Sequence, residues 1–291
     1  MFVCGQGTEN LCLGGMRLSI RKFTIILLLF STPLFSQYKS GSKQADSLHK
    51  DYSAGKIILN DLKISLDDGI KTFAALLHFD TKDAITALGV LGTTALLFTV
   101  DADVRNYFAK QNSDFNNKLS DVGNFYGSLY PTVAIGGGLY ITGLAIKNED
   151  IRVTGRMVFE SAAIAGIITT LTKSLLGRHR PYTDDGRFAY EGPTFEPDFL
   201  SLPSGHATVA FALSTTLAKR INNTYASIGL YTLATVTSLS RIYEDQHWAS
   251  DVFLGSAIGY FVADFIAGKK NEGKKYRIEP TGNGIQFIYS L

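Results

Sequence analysis

Cysteine is almost missing from this 291-residue sequence, which has only Cys4 and Cys12. So few thiols exclude a disulfide-rich scaffold and a zinc site built from cysteines. The five histidines include no HExxH pair, and the acidic residues form no calcium loop of the EF-hand type. The sequence therefore predicts no metal site and no cofactor.

An excess of charge of either sign is also missing. The chain has 28 Lys and Arg against 26 Asp and Glu, a net charge of +2, and no basic stripe with interleaved aromatic residues. Nothing here favours a nucleic acid as partner. The hydrophobic content of 45% with a mean hydropathy of +0.09 is high for a soluble protein and modest for one that crosses a membrane several times.

The amino-terminal region has the pattern of a secretory signal peptide. A short basic stretch, residues 16–22, precedes an almost wholly apolar run over 23–35, and a polar stretch begins at Ser36. We predict a signal peptide over residues 1–36, with the true start at Met16 and cleavage after Ser36. Leu34 is larger than the residue usual at that position, so an uncleaved anchor is the alternative. A chain cut there contains no cysteine.

The rest of the sequence predicts an all-α helical bundle. A polar linker and an amphipathic helix, at 61–79, occupy residues 37–83. Apolar runs that predict about six helices of a catalytic domain over 84–268 follow at 84–100, 125–146, 153–176, 207–217, 225–239 and 252–267. Residues 269–291 form a basic tail, in which two short strand-like segments flank 280–284 and predict a small β-hairpin.

Three short clusters in the second half of the chain carry the chemistry. They are Lys173-x6-Arg180-Pro181, then Pro203-Ser204-Gly205-His206, then Ser240-Arg241-x5-His247-x3-Asp251. Taken singly, each has an ordinary structural interpretation: a solvated helix end before a proline, a turn with an N-cap serine, and an i,i+4 pair on a helix surface. Taken together, they contain what is needed to bind a phosphate and break its ester bond. Lysine and arginine neutralise phosphate oxygens, a helix start favours an anion, and histidine is both a nucleophile and an acid.

The order and spacing of the clusters resemble the signature of the type 2 phosphatidic acid phosphatase and vanadium-dependent haloperoxidase superfamily. This resemblance implies that His247 is a nucleophile that becomes a phosphohistidine and that Asp251 orients it. His206 is implied to protonate the leaving group. The implied phosphate-binding residues are Lys173, Arg180, Ser204, Gly205 and Arg241. The resemblance requires no metal, and His179 beside Arg180 is interpreted as a spacer.

The family's plan also implies a bundle embedded in a membrane. Basic residues between the runs, Lys147, Arg152, Lys219 and Arg220, would lie at the end opposite the clusters, in agreement with the positive-inside rule. Six crossings after a cleaved signal would, however, leave the clusters in the cytoplasm. Several runs are also short or contain charges. Either one run does not span, or the bundle is soluble and outside the cytoplasm; we predict the membrane form, with an extracytoplasmic site.

The predicted function is therefore hydrolysis of a phosphomonoester or pyrophosphate, on a lipid, in the bacterial cell envelope. The loop over 184–198 is predicted to overhang the site and select the substrate. Three alternatives stay open: a soluble periplasmic acid phosphatase, a vanadium-dependent haloperoxidase, and a lipid-phosphate-binding protein without activity. The sequence does not distinguish phosphatidate from a polyprenyl pyrophosphate, a lipid A phosphate or a soluble ester.

Overall fold

The computed structural model describes residues 10–13, 16–19, 53–75, 81–268, 275–281 and 284–290. The chain divides into two units, Met1–His49 and Lys50–Leu291. The second unit contains eight described α-helices: α1 Ala54–Ala75, α2 Thr81–Phe108, α3 Asp114–Gly127, α4 Leu129–Ala145, α5 Glu149–Leu176, α6 Gly205–Ile221, α7 Thr224–Tyr243 and α8 Ala249–Gly268. An all-α bundle was predicted, and the described part of this unit confirms it.

Helix α6 forms the centre of the bundle. It is buried along almost its whole length and packs against α5, α7 and α8. Its apolar residues contribute to all three clusters of buried side chains, with Ala212 against α5 and α8, Leu213 against α7, and Ala207 against α8. The starts of α6 and α8 lie at the same end of the bundle as the ends of α5 and α7. The three sequence clusters therefore lie together at that end.

Two glycines allow α8 to approach α6 closely. A Cβ atom on Gly255 would overlap the backbone oxygen of Ser204, and one on Gly259 would overlap the backbone oxygen of Thr208. Small residues four apart permit such contacts between helix backbones. The Gly255 contact therefore sets the distance between the start of α6 and the helix that carries Asp251.

The predicted helix over 125–146 was wrong in one respect, because it is divided at Ser128. This residue ends α3, and its hydroxyl accepts a hydrogen bond from the backbone N–H of Tyr130 at the start of α4. Helix α3, most of which the sequence did not predict, is rich in polar residues. Two of its polar side chains face the bundle, where Ser120 and Asn124 hydrogen-bond to Glu244.

Helix α1 covers Ala54–Ala75, seven residues earlier than the predicted start at residue 61. It turns a polar face toward α5, where Asp61 pairs with Arg152 and Asp68 lies 3.8 Å from Arg156. Large apolar side chains face away from the bundle, among them Leu66 and Ile70, which are 69% and 70% exposed. This arrangement is the reverse of that in a soluble helix.

Three described helices are long and apolar enough to cross a membrane, namely Thr81–Phe108, Glu149–Leu176 and Ala249–Gly268. Helix α4 is apolar but shorter. The three candidate spans agree with the predicted membrane form in length and composition.

Short antiparallel strand pairs are found near both termini. In the first unit, β1 Asn10–Leu13 pairs with β2 Met16–Ser19, across the predicted start. The apolar run of the predicted signal peptide lies outside the described residues. In the tail, backbone pairing joins β3 Lys275–Thr281 to β4 Gly284–Ser290. The side chains of this tail and its turn lie outside the described residues, and the small hairpin stays a prediction.

Candidate active site

Side chains from all three sequence clusters meet at one end of the bundle. Lys173 lies in the last turn of α5, Ser204 and His206 at the start of α6, and Arg241 in the last turn of α7. His247 precedes α8. Lys173, Arg180 and Arg241 all interact electrostatically with His206, and the first two also with His247. Three cations therefore surround two histidines.

The turn after α5 brings Arg180 into the site. Gly177 ends the helix with a φ of 63°, and a Cβ atom there would overlap the backbone oxygen of Gly192, so only glycine fits. Arg180 precedes Pro181 and is extended, as residues before proline usually are. Its Nε donates to the backbone oxygen of Pro197 at 2.9 Å, and its Nη1 donates to Gln246 Oε1 at 2.9 Å.

Ser204 begins α6 without using its hydroxyl as a helix cap. Its backbone N–H donates to the backbone oxygen of Asp251 at 2.9 Å. Its Oγ is buried and has no hydrogen-bond partner in the part of the chain that the structure describes. Since the first amides of a helix also lack intrahelical acceptors, the start of α6 offers the donors of an anion site.

Arg241 is held on one side and free on the other. Its Nη1 donates to Glu244 Oε2 at 2.9 Å and also contacts the amide oxygen of Asn124. Its Nε is buried and without a partner among the described residues. Glu244 is in turn bound by Ser120. Helix α3 therefore helps to orient the guanidinium group of Arg241.

His247 is buried, and its Nδ1 faces the carboxylate of Asp251. The distance from Nδ1 to Oδ2 is 3.7 Å, which is too long for a hydrogen bond. Facing Asp251 with Nδ1 leaves Nε2 as the nitrogen available for attack. Burial lowers the pKa of His247 to about 3 and outweighs the opposing effect of Asp251. The imidazole is therefore neutral, as a nucleophile must be.

His206 is only partly buried. Burial, followed by the charges of Arg241 and Lys173, lowers its pKa to about 4, while Glu244 opposes the shift. A neutral His206 has no extra proton to give to a leaving group. Binding of an anion among the nearby cations would raise the pKa of His206, so that the ring can take up a proton.

The side chain of His179 contacts residues of the loop that follows it. Its Nδ1 lies 2.9 Å from Asp185 Oδ2, and its ring stacks on Phe199. Among the described residues, no group of three or more His, Cys, Asp or Glu side chains is placed to hold a metal ion. These contacts agree with the interpretation of His179 as a spacer.

Sequence reasoning missed four polar residues that hold the predicted ones in place. Arg178 and Ser201 bind the carboxylate of Asp251, Asp101 binds Arg178, and Glu244 binds Arg241. One signal was available for Asp101, because an aspartate directly after an apolar run is costly unless it is paired. Arg178 lies between two predicted phosphate-binding residues, but its position in the chain does not reveal that it points away from the phosphate site.

The comparisons agree with the signature. Residues 155–271 match the model of the PAP2 superfamily, a region that contains all three clusters. The predicted resemblance is thereby confirmed.

Among curated proteins, several phosphatases are similar to this chain. A lipid A 1-phosphatase of Porphyromonas gingivalis is 31% identical over 183 residues, which cover 61% of this chain and 36% of that protein. An undecaprenyl-diphosphatase of Sulfolobus acidocaldarius is 26% identical over 143 residues, 48% of this chain and 66% of that protein. The chain thus spans about a third of the length of the first relative.

Among solved structures, a transmembrane PAP2-type phosphatidylglycerolphosphate phosphatase of Bacillus subtilis is similar, with a TM-score of 0.49 and 18% identity. The match covers 65% of this chain and 98% of that one. LpxE of Aquifex aeolicus matches with a TM-score of 0.42 and 20% identity, over 58% of this chain and 95% of that one.

Proposed function

We propose that this protein hydrolyses a phosphomonoester or pyrophosphate bond of a lipid phosphate through a phosphohistidine at His247. One observation carries the proposal: three cations from three different elements surround two histidines. Within the described part of the chain, Ser204 Oγ and Arg241 Nε are buried without hydrogen-bond partners. Buried polar groups require partners, and a bound phosphate would supply them.

In this proposal, the phosphate oxygens are bound by the side chains of Lys173, Arg180 and Arg241. Ser204 Oγ and the amide of Gly205 donate to the same group. A phosphoryl transition state carries its charge on the equatorial oxygens, so fixed cations and donors supply most of the stabilisation. Arg180 and Arg241 are held by contacts on the side away from the phosphate, which keeps their orientation constant during the reaction.

The chemical steps follow from the placement of the two histidines. Nε2 of His247 attacks phosphorus, and the bond to the leaving oxygen breaks, while His206 transfers its proton to that oxygen. The neutral His206 then takes a proton from water as the water attacks the phosphohistidine. The P–N bond breaks and free phosphate leaves. His247 is again neutral, and His206 again carries the proton that it had in the substrate complex.

The choice of a lipid substrate is supported by the surface of the bundle and by the relatives. Three helices are long enough to span a membrane, and exposed apolar residues continue up to the site end, where Leu175 is 65% exposed. On the loop beside the site, Phe188 and Phe195 are 63% and 85% exposed. Exposed phenylalanine side chains are suited to contact with a lipid surface. An amphiphilic substrate could then keep its tail in the lipid.

The test is a phosphate-release screen with detergent-purified protein and His247→Ala as the matched control. Lipid A, a polyprenyl pyrophosphate, phosphatidate, phosphatidylglycerol phosphate and a soluble aryl phosphate represent the substrate classes. We expect release from at least one lipid and an acid-labile phosphoenzyme in the wild type alone. Release by His247→Ala at the wild-type rate would refute the mechanism. Release from the soluble ester alone would refute the lipid assignment.

We propose in addition that the site faces the extracytoplasmic side. Cys4 and Cys12 are the only cysteines in the sequence, so replacing both leaves a background-free chain. Single cysteines are then placed at Gly186 in the loop and at Gly273 in the tail. A membrane-impermeant thiol reagent should label the loop in intact spheroplasts. Labelling of the loop only after lysis would overturn this orientation.

A further inference from the structure

Arg178 is a fully buried arginine that does not point into the phosphate site. Its Nη1 lies 2.5 Å from Asp251 Oδ1 and its Nη2 lies 2.8 Å from Asp101 Oδ2. Nε and Nη2 also donate to the backbone oxygen of Arg187, at 3.1 and 2.8 Å. The guanidinium carbon lies 4.2 Å from the centre of the Phe98 ring. Every side of this cation is therefore in contact with protein.

The carboxylate of Asp251 is bound mainly by groups other than the nucleophile. Arg178 binds Oδ1, while Ser201 Oγ and the backbone N–H of Trp248 donate to Oδ2 at 2.6 and 2.8 Å. His247 Nδ1 is farther away, at 3.7 Å. The position of the carboxylate that faces the nucleophile is therefore set by Arg178, Ser201 and Trp248.

Asp101 completes the arrangement from α2. Its side chain is fully buried and pairs with Arg178. It also accepts hydrogen bonds from the backbone N–H and the Oγ of Ser250, at 2.9 and 2.5 Å. Ser250 is the second residue of α8 and directly precedes Asp251. Asp101 thus holds both the arginine and the helix start next to Asp251.

The charges of the three groups explain why an arginine can contact this carboxylate without disabling it. Alone, Arg178 would cancel the charge of Asp251, which is needed when His247 becomes cationic during attack. Asp101 supplies a second carboxylate to the same arginine, so Arg178 with its two partners carries a net charge of −1. The Asp251 carboxylate can then stabilise the imidazolium form of His247.

We propose that Arg178 and Asp101 are positioning residues that set the orientation and the effective charge of Asp251 toward His247. This inference rests on the proposed function. A purely structural role is the competing explanation, because buried ion pairs also occur where they serve folding alone. The two explanations differ in what they predict for turnover by correctly folded enzyme.

The experiment compares Asp101→Asn and Arg178→Lys with Asp61→Asn as the matched control. Asp61 belongs to another buried ion pair, with Arg152, at the opposite end of α5. We expect Asp101→Asn and Arg178→Lys to lower kcat and the rate of phosphoenzyme formation by about 10- to 100-fold, since a displacement of about 1 Å in an active site costs on the order of 100-fold. KM and the affinity for phosphate should change less, because the three phosphate-binding cations are untouched.

A double-mutant cycle with Asp251→Asn provides the decisive readout. If Asp101 acts through Asp251, adding Asp101→Asn to Asp251→Asn should cause little further loss of kcat. Rates are normalised to the fraction of protein that binds phosphate, so that misfolded protein does not count. Independent, multiplicative losses would overturn the inference, as would a lower melting temperature with unchanged kcat in both single variants.

Failure of the proposed function would look different. In that case the wild type itself would form no phosphoenzyme and release no phosphate. A wild type that is active, with Asp101→Asn and Arg178→Lys no slower than Asp61→Asn, would leave the function intact and remove only the positioning role. If Arg178→Lys does not fold, Asp101→Asn and Ser250→Ala, which removes one hydrogen bond to Asp101, test the same link.

Discussion

The proton on His206 gives the most quantitative test of the site. Burial and the charges of Arg241 and Lys173 lower its pKa to about 4, against an ordinary value of about 6.5. A dianion bound among the same cations opposes their effect on the pKa. We expect the pKa of His206 in the complex to rise toward its ordinary value, which is the upper limit, so that anion binding takes up a proton.

The magnitude follows from linkage between the two binding events. A rise from about 4 to about 6.5 is about 2.5 pKa units, or about a 300-fold change in proton affinity. By reciprocity, protonation of His206 strengthens anion binding by the same factor of about 300. The sign is fixed by the direction of the shift: affinity is highest below about pH 4, and it falls about tenfold per unit as the pH rises toward 6.5.

Sulfate is a suitable probe because it stays a dianion throughout this pH range, whereas phosphate esters titrate within it. Its affinity is measured by isothermal titration calorimetry on the detergent-purified protein between about pH 4.5 and 7.5. Buffers with different ionisation enthalpies report the proton taken up. The matched control, His206→Gln, keeps a hydrogen-bonding side chain but cannot be protonated.

Two results would refute this reasoning. One is a sulfate affinity that does not change with pH in the wild type, since the pKa of His206 would then not respond to the anion. The other is the same pH dependence in His206→Gln, which would assign the titration to another group. An affinity that falls with pH in the wild type alone is the expected outcome.

Three further predictions concern chemistry, metal and fold. His206→Ala should lose roughly two to four orders of magnitude on an alkyl phosphate and much less on a nitrophenyl phosphate, because the latter leaving group needs little protonation; equal losses in steady-state rates would contradict the acid role. Activity should survive excess EDTA and be inhibited by vanadate, whereas loss in chelator that magnesium or zinc restores would show that the set of side chains is incomplete. Gly177→Ala should cost at least about 1–2 kcal/mol of stability from its φ of 63° alone. The overlap with Gly192 adds to this cost, and thermal unfolding in detergent measures it; an unchanged melting temperature would show that the turn can rearrange.

The sequence predicted most of the helices, because a long apolar run with few glycines or prolines is seldom anything but a helix. It failed at α3, where some of the polar side chains face the protein. Ser120 and Asn124 look like surface residues in the sequence, yet they bind Glu244 more than a hundred residues away. A pattern method assigns polar residues to solvent, and only the tertiary contact reveals that they face the protein. The same reason explains why α1, with its polar side turned inward, was placed several residues too late.

The candidate site shows the same division between local and distant information. Residues that touch the phosphate in our proposal lie at helix ends, where spacing to a proline or a helix start marks them. Apart from Asp101, which directly follows an apolar run, the residues that orient them have no local sequence signal. Asp101 and Arg178 are 77 positions apart, and Arg178 and Asp251 are 73 apart. Their relation exists only once α2, the loop after α5 and the start of α8 have packed together.

This division also explains why the reaction was easier to predict than the substrate. The phosphate group has the same charged oxygens in every ester and needs the same cations and hydrogen-bond donors. The residues that bind it therefore recur in a recognisable order. The rest of the substrate contacts surfaces that differ in shape and exposure, such as the loop carrying Phe188 and Phe195, where the chemistry imposes no fixed spacing. Arg105 fastens this loop to the bundle through Asp184, at 2.7 Å, and also binds Asp245, at 2.6 Å. A loop attached at this point is held beside Arg180, so we expect the residues between Asp184 and Asp198 to determine which lipid head group is accepted.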